Sequence, residues 1–274
     1  MSEEHLAKPV DHDGERDGEH DGEGEGDRGA SRAAAGTAPG DDRRTVVVTG
    51  GTSGIGAAVA ERFAAAGARV VAAGLDAGGA AGRLPDSVRL VEMDLTHDGE
   101  LEDLLGGMER LDVLVNAAGV IARGREYEPE VFAHVVDVNL TGTMRACVAS
   151  HGLLSGSGGC VVNVASMLSF FGGPRVPAYT ASKGGITQLT KALAVAWAGD
   201  GIRVNAVAPG WIRTALTADL RADDAVARRI IDRTPLGRWG EPADVAGAVT
   251  FLCGEDARFV TGVVLPVDGG YLAA

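Results

Sequence analysis

The chain has 274 residues, 45% of them hydrophobic, with 38 acidic against 25 basic residues and a formal net charge of −13. That balance argues against nucleic acid as a partner, and no apolar stretch approaches the ~18 residues that a membrane span would need. Three isolated cysteines, Cys147, Cys160 and Cys253, show neither disulfide nor metal spacing and read as buried thiols of a reducing cytoplasm.

Residues 1–44 stand apart from the rest. They hold 13 acidic and 6 basic residues and no apolar periodicity. Such a segment buries too little apolar surface to offset the entropy of ordering it, so a disordered acidic tail is expected. It lacks the apolar core of a signal peptide and the Arg-rich, acid-poor character of a transit peptide. His5, His12 and His20 read as part of the solvated tail rather than as a metal site.

From residue 45 to residue 274 one large α/β domain is expected. TVVVTG (45–50) reads as a buried strand, and GIGAAVAERFAAAG after it places Ile55, Val59 and Phe63 on one helical face. ARVVAAG (68–74), SVRLVEMDL (87–95), LDVLVNAAG (111–119), GCVVNVAS (159–166), GIRVNAVAPG (201–210) and GVVLPVDGG (262–270) supply further strands. Helices fall between them, near 99–109, 128–151, 178–198 and 241–253. Continuous Val-rich strands separated by helices predict a parallel sheet covered on both faces: a Rossmann-type, doubly wound, seven-stranded sheet in a single domain. Such sheets bind ligands beyond the carboxyl ends of their strands.

The first strand end reads TGGTSGIG, with Gly50, Gly54 and Gly56 opening a helix. In that context glycines let the backbone turn tightly and approach a pyrophosphate, whose charge the helix N–H groups receive. The spacing Gly-x3-Gly-x-Gly differs from the usual dinucleotide fingerprint. A second cluster lies in SFFGGPRVPAYTASKGG (169–185), where Tyr179 and Lys183 stand four residues apart and so share a helix face. A free tyrosine has a pKa near 10, and a neighbouring ammonium would lower it towards working pH. In isolation such a pair is more often a surface contact. No metal-ligand cluster is visible, and His97, His134 and His151 receive no role.

TGGTSGIG, NAAG (116–119), Ser166 thirteen residues before Tyr179, and YTASK together resemble the short-chain dehydrogenases/reductases over nearly all of 45–274. The resemblance implies an NAD(P)-dependent oxidoreductase that moves hydride between nicotinamide and a secondary alcohol or ketone. It implies Tyr179 as general acid/base and Ser166 as hydrogen-bond donor to the substrate oxygen. Lys183 would bind the nicotinamide ribose and lower the Tyr179 pKa, and Asn139 would hold a proton-relaying water. By position, Gly50, Ser53, Gly54, Ile55 and Gly56 would hold the pyrophosphate, and Asp94 and Leu95 the adenine. Asn116, Ala117 and Gly119 would form the floor, while Pro209, Gly210, Ile212 and Thr214 would bind the nicotinamide end. Neither Ser53 nor Leu75 is a cation that would welcome a 2′-phosphate. Asp76, twenty residues after Gly56, is placed to accept a ribose 2′-OH or to serve as a turn residue. NAD is therefore expected over NADP.

Within the family, the stretch 165–183 is most similar to dehydrogenases of deoxy sugar acids. Arg123 and Arg175 would suit a sugar carboxylate, or be loop charges, and Trp211 would border the substrate. Two alternatives stay open: a 3-oxoacyl-type or general carbonyl reductase using NADPH, and a non-catalytic cofactor-sensing protein. The family resemblance further implies a homotetramer, with residues 214–238 as a mobile lid over a small-molecule alcohol or ketone.

Overall fold

The computed structural model describes residues 43–97 and 99–274. Its strands are β1 (Thr45–Thr49), β2 (Arg69–Gly74), β3 (Val88–Glu92), β4 (Val113–Asn116), β5 (Cys160–Val164), β6 (Arg203–Pro209) and β7 (Val264–Val267). All pair in parallel in one sheet of order β3-β2-β1-β4-β5-β6-β7. The helices are α1 (Gly54–Ala65), α2 (Ala77–Ala80), α3 (Glu100–Gly106), α4 (Pro129–Val136), α5 (Gly142–Ser157), α6 (Pro177–Trp197), α7 (Ala218–Ala222), α8 (Asp224–Arg233) and α9 (Pro242–Cys253).

The valines of β1 explain the layering. Side chains alternate across a strand, so Val46 and Val48 pack with Val59 and Phe63 of α1 and Val245 and Val249 of α9. Val47 points the other way, joining Leu104 of α3, Leu154 of α5 and Leu193 of α6. Each of the three valines has no exposed surface, a burial that stabilises the fold by roughly 1.5–3 kcal/mol per side chain. Seven parallel strands between two helical layers are the doubly wound sheet that the Val-rich runs predict.

The structure refines four expectations. The helix expected over 128–151 is broken by a wider π-helical turn at Asp137–Thr141, which separates α4 from α5. The stretch expected as a mobile lid carries two helices, α7 and α8. The expected disordered tail falls outside the described residues except at Arg43 and Arg44. Arg44 is already part of the fold: its carbonyl accepts from Arg69 N at 2.8 Å and its guanidinium donates to Cys253 O at 2.9 Å. Finally, all three cysteines are free and buried, and two that are far apart in sequence, Cys160 at the start of β5 and Cys253 at the end of α9, share one core cluster. Among the described residues no helix is long and apolar enough to cross a membrane.

Candidate active site

The chain winds outward from β1 through β2 and β3, then crosses back to β4 on the other side of β1. Ligands bind at such switch points, and here a cleft of about 360 Å³ opens beyond the strand ends. Gly50, Ser53, Gly54, Ile55, Gly56, Asp94, Leu95, Ala117, Gly119 and Thr214 all line it. The glycines are required by space. Gly50 has φ +66°, and a Cβ there would lie 2.5 Å from Ala118 N. A Cβ on Gly56 would collide with the Gly50 carbonyl oxygen. The turn therefore presents bare backbone at the N-terminus of α1, which fits the pyrophosphate of a dinucleotide. Asp94 accepts from Thr96 N at 2.9 Å and Thr96 Oγ1 at 2.8 Å, bonds that hold its carboxyl below the usual range.

Besides Tyr179 and Lys183, five residues expected at the cofactor do not line this cleft. Asn116 lies beneath it in a buried polar ladder. Its side chain accepts from Thr49 Oγ1 at 3.3 Å and donates to Asn163 Oδ1 at 2.9 Å, and Asn163 reaches Thr190 of α6 at 3.0 Å. Pro209 ends β6, and Gly210 N donates to Val267 O at 3.0 Å, tying that end to β7. Ile212 lines a larger hollow of about 500 Å³ with Trp211, Leu236 and Asp268. That hollow is lined by none of the glycine-turn residues, whereas the smaller cleft is lined by them and by Gly119, beside which Asn139 and Lys183 stand. The chemistry belongs with the smaller cleft.

Asp76 is the fifth. It has φ 57°, and its carboxylate accepts from Gly79 N at 3.1 Å and stands 3.9 Å from Arg83, so it faces α2. The turn it occupies is held instead by Glu92, at the end of β3. Glu92 Oε1 accepts from Asp76 N at 3.0 Å and Oε2 from Ala77 N at 2.7 Å. The neighbouring Leu75 lines the cleft.

Tyr179 and Lys183 lie on one face of α6, with Lys183 Nζ 5.7 Å from the Tyr179 ring centroid. Ser166, two residues after β5, caps a short turn through Leu168 N (3.1 Å) and faces the Tyr179 phenol. Asn139 occupies the π-helical turn and is fully buried. Its Oδ1 accepts from Val120 N at 2.8 Å, and its Nδ2 donates to Val120 O at 3.0 Å and Ser182 Oγ at 3.1 Å. A Cβ on Gly119 would lie 3.4 Å from Asn139 Oδ1 and 3.6 Å from Lys183 Nζ, so the three residues converge at one point on the cleft floor.

The electrostatics differ from the lowering that the Tyr–Lys spacing suggests. Burial pushes the Tyr179 phenol above its ordinary value; the Ser166 hydrogen bond and the Arg123 guanidinium pull it down, and Glu126 pushes it up. Lys183 is held by a backbone carbonyl. Its ammonium donates to Val164 O at 2.6 Å, and burial pushes its own pKa down to about 8.

Arg123 reaches the opposite wall, donating to Leu216 O at 2.8 Å. Burial lowers its pKa, with Tyr179, Asp219 and Glu126 acting against that. Arg175 is exposed, but its carbonyl accepts from Gly124 N at 2.8 Å, so the two arginine loops touch. Trp211 makes edge contacts with Trp239 (5.8 Å between centroids) and Tyr271 (6.3 Å). Tyr271 also stacks on Phe171 at 6.2 Å, and Arg233 of α8 lies 4.2 Å over its ring.

Sequence reasoning did not single out Glu92, Glu126 or Leu216, and His134, given no role, lines the cleft. Each of the two glutamates grips backbone far away in the chain, a relation that no local spacing displays. His134 is exposed on α4, five residues before Asn139, and its spacing carries no signal.

A protein-family model described as enoyl-(acyl carrier protein) reductase matches residues 50–272. The 2-dehydro-3-deoxy-D-gluconate 5-dehydrogenase of Bacillus subtilis (strain 168) is 37% identical over 246 residues, 84% of this chain and 95% of that protein. A solved structure from Beutenbergia cavernae, assigned as an NAD(P) dependent gluconate 5-dehydrogenase with bound NADP at low occupancy, is 44% identical. It has a TM-score of 0.80 and covers 84% of this chain and 97% of its own. One from Agrobacterium tumefaciens, assigned as a 2-deoxy-D-gluconate 3-dehydrogenase with bound NADP, is 42% identical. Its TM-score is 0.77, with the same coverage of the two chains.

Proposed function

This chain belongs to the short-chain dehydrogenase/reductase family, and on that premise we propose that it interconverts a secondary hydroxyl and a ketone of a deoxy sugar acid, using NAD and Tyr179. The observation that carries the reading is that Gly119 of the glycine-walled cleft stands beside Asn139 and Lys183, with Lys183 Nζ 5.7 Å from the Tyr179 ring centroid. When bound, the nicotinamide ring supplies the acceptor or donor of hydride. The cleft residues hold the cofactor: the glycine turn its pyrophosphate, Asp94 and Leu95 its adenine, and Thr214 its nicotinamide end.

In the oxidative direction Tyr179 takes the hydroxyl proton while hydride leaves the same carbon, and Ser166 donates a hydrogen bond to the substrate oxygen as it becomes a carbonyl. Lys183 reaches the ribose and, across Gly119, stands beside Asn139, where a water would pass protons outward. In the reverse direction the raised phenol pKa favours Tyr179 as the acid. Arg123 offers a planar cation to a sugar carboxylate. Arg175, in the adjoining loop, is the second candidate.

The ribose end supports NAD. A 2′-phosphate approaching the turn at 75–77 would find no cation at Ser53 or Leu75 and would meet the Glu92 carboxylate on the backbone N–H groups. One feature favours a second reading, a carbonyl reductase for bulkier substrates: the aromatic cluster of Phe171, Trp211 and Tyr271. The exposed Val148 of α5 and Val195 of α6 support assembly as a homotetramer. Rates with 2-dehydro-3-deoxy-D-gluconate and with simple bulky ketones, each with both cofactors, test these readings. Turnover confined to bulky ketones with NADPH would overturn the sugar-acid assignment.

A further inference from the structure

α6 carries Tyr179 and Lys183, yet its own sequence does not cap it. Val176 precedes it without a side-chain hydrogen bond, and its first turn holds no acidic residue. The first-turn N–H groups of a helix have no intrahelical acceptor, and Pro177 at the start removes only one of them. The acceptor comes from far upstream. Glu126 Oε2 accepts from Tyr179 N at 2.8 Å, and its Oε1 accepts from Ala122 N at 2.9 Å.

Glu126 has no exposed surface. A carboxylate so buried is costly unless its charge is well accommodated. Here two charge-assisted bonds to backbone and the positive end of the α6 dipole offset the burial, with the Arg123 charge nearby. The same two segments are laced together at two further points: Gly124 N donates to Arg175 O at 2.8 Å, and Tyr127 Oη to Pro174 O at 2.9 Å. Arg123 then extends the connection to Leu216 O at 2.8 Å.

We infer that Glu126 is a positioning residue for the reaction: it clamps the turn bearing Arg123 to the first turn of α6, so that the substrate-binding cation and the Tyr179 phenol keep one fixed relation. The inference rests on the reading of Tyr179 as acid/base and Arg123 as carboxylate anchor. Its negative charge has a second consequence. The charged and polar groups facing the phenol are Arg123 and Glu126 from the loop, Ser166 after β5, and Lys183 along α6. Glu126 is the one that opposes deprotonation.

Glu126→Gln keeps the shape but turns one acceptor into an amide donor facing a backbone donor. Misplacing reacting groups by about an ångström can cost on the order of 10²-fold. E126Q is therefore expected to lower kcat by about 10–100-fold and raise the substrate KM several-fold. NADH affinity, read by fluorescence titration, should stay within about twofold, because the glycine turn is untouched. The pH limb assigned to Tyr179 should move to lower pH, since a charge that raises that pKa is gone. Glu126→Asp, which keeps the charge but shortens the reach, should lower kcat without moving the limb.

An E126Q enzyme with wild-type kinetics would overturn the proposal. So would one whose only loss is the fraction of chains that bind NADH, with KM and pH limb unmoved, for that is a purely structural cap. If E126Q does not fold, E126D decides alone: lost turnover per bound NADH at unchanged NADH affinity supports the clamp, and wild-type turnover rejects it. Tyr179→Phe, run alongside, separates the two levels. Full activity in Y179F removes the acid/base reading itself, whereas an inactive Y179F beside an unaffected E126Q removes only Glu126.

Discussion

The two ends of the cleft are built in opposite ways. At the β1–α1 turn the site consists of absent side chains: Gly50 and Gly56 leave backbone bare, and a Cβ on either would strike main chain. At the β5–α6 end it consists of polar side chains taken out of water, with Asn139 and Glu126 fully buried and Lys183 nearly so. The first end needs closeness to an anion and is indifferent to titration. The second must hold and move a proton, so it carries groups whose burial shifts their ionisation. A substitution at the glycine end should therefore act on affinity, and one at the other end on rate and pH dependence.

Tyr179→Phe presses the comparison hardest. Removing a general acid/base group typically costs 10²–10⁴-fold, so kcat should fall by about that much while NADH titration stays near wild type. Gly56→Ala is the mirror experiment. Its collision with the Gly50 carbonyl forces the turn to shift, and NADH affinity should weaken by about 10–100-fold, or roughly 1.4–2.8 kcal/mol. Intermediate plateau rates at saturating NADH in G56A would show that the two ends are less separable than their construction implies.

Lys183→Met sharpens the contrast through stability. Burial pushes the Lys183 pKa down to about 8 from an ordinary value of 10.5, so between those values the unfolded chain binds more protons than the folded one. Wild-type stability should accordingly rise with pH across that window, and the penalty for the buried ammonium is fully present below pH 8. K183M escapes the penalty. In denaturant titrations of the cofactor-free protein it should be more stable than wild type by about 1–3 kcal/mol at pH 7. That gap should narrow by pH 10, although turnover is lost throughout. The smallest effect is expected at the ribose edge. Glu92→Gln removes the charge opposing a 2′-phosphate and should move the NAD/NADP ratio of kcat/KM by about tenfold towards NADP, near 1.4 kcal/mol.

What the sequence discloses follows the same division. The glycine turn and the Tyr179–Lys183 pair are legible because each is local: one strand-to-helix turn and one helical turn. The alternation of Val-rich strands and helices is legible because burial on both faces leaves few other residues possible. Asn139 is marked in the sequence only by the family resemblance, because the π-helical turn that holds it interrupts an otherwise continuous helical pattern. Glu126 and Glu92 are plain glutamates among other charged residues, and their meaning lies in amides brought near by the crossovers. The surroundings of Tyr179 are only partly legible for a related reason. The residue spacing fixes which face Lys183 shares, but the Val164 carbonyl fixes where its ammonium points.

The most direct test of the account is the initial rate of NAD-dependent oxidation of 2-dehydro-3-deoxy-D-gluconate, followed as NADH absorbance for wild type and Tyr179→Phe at equal NADH-binding capacity. The account predicts sustained turnover by the wild type and a loss of about 10²–10⁴-fold in the variant. No turnover of this substrate by the wild type, or equal rates for the two proteins, would contradict it.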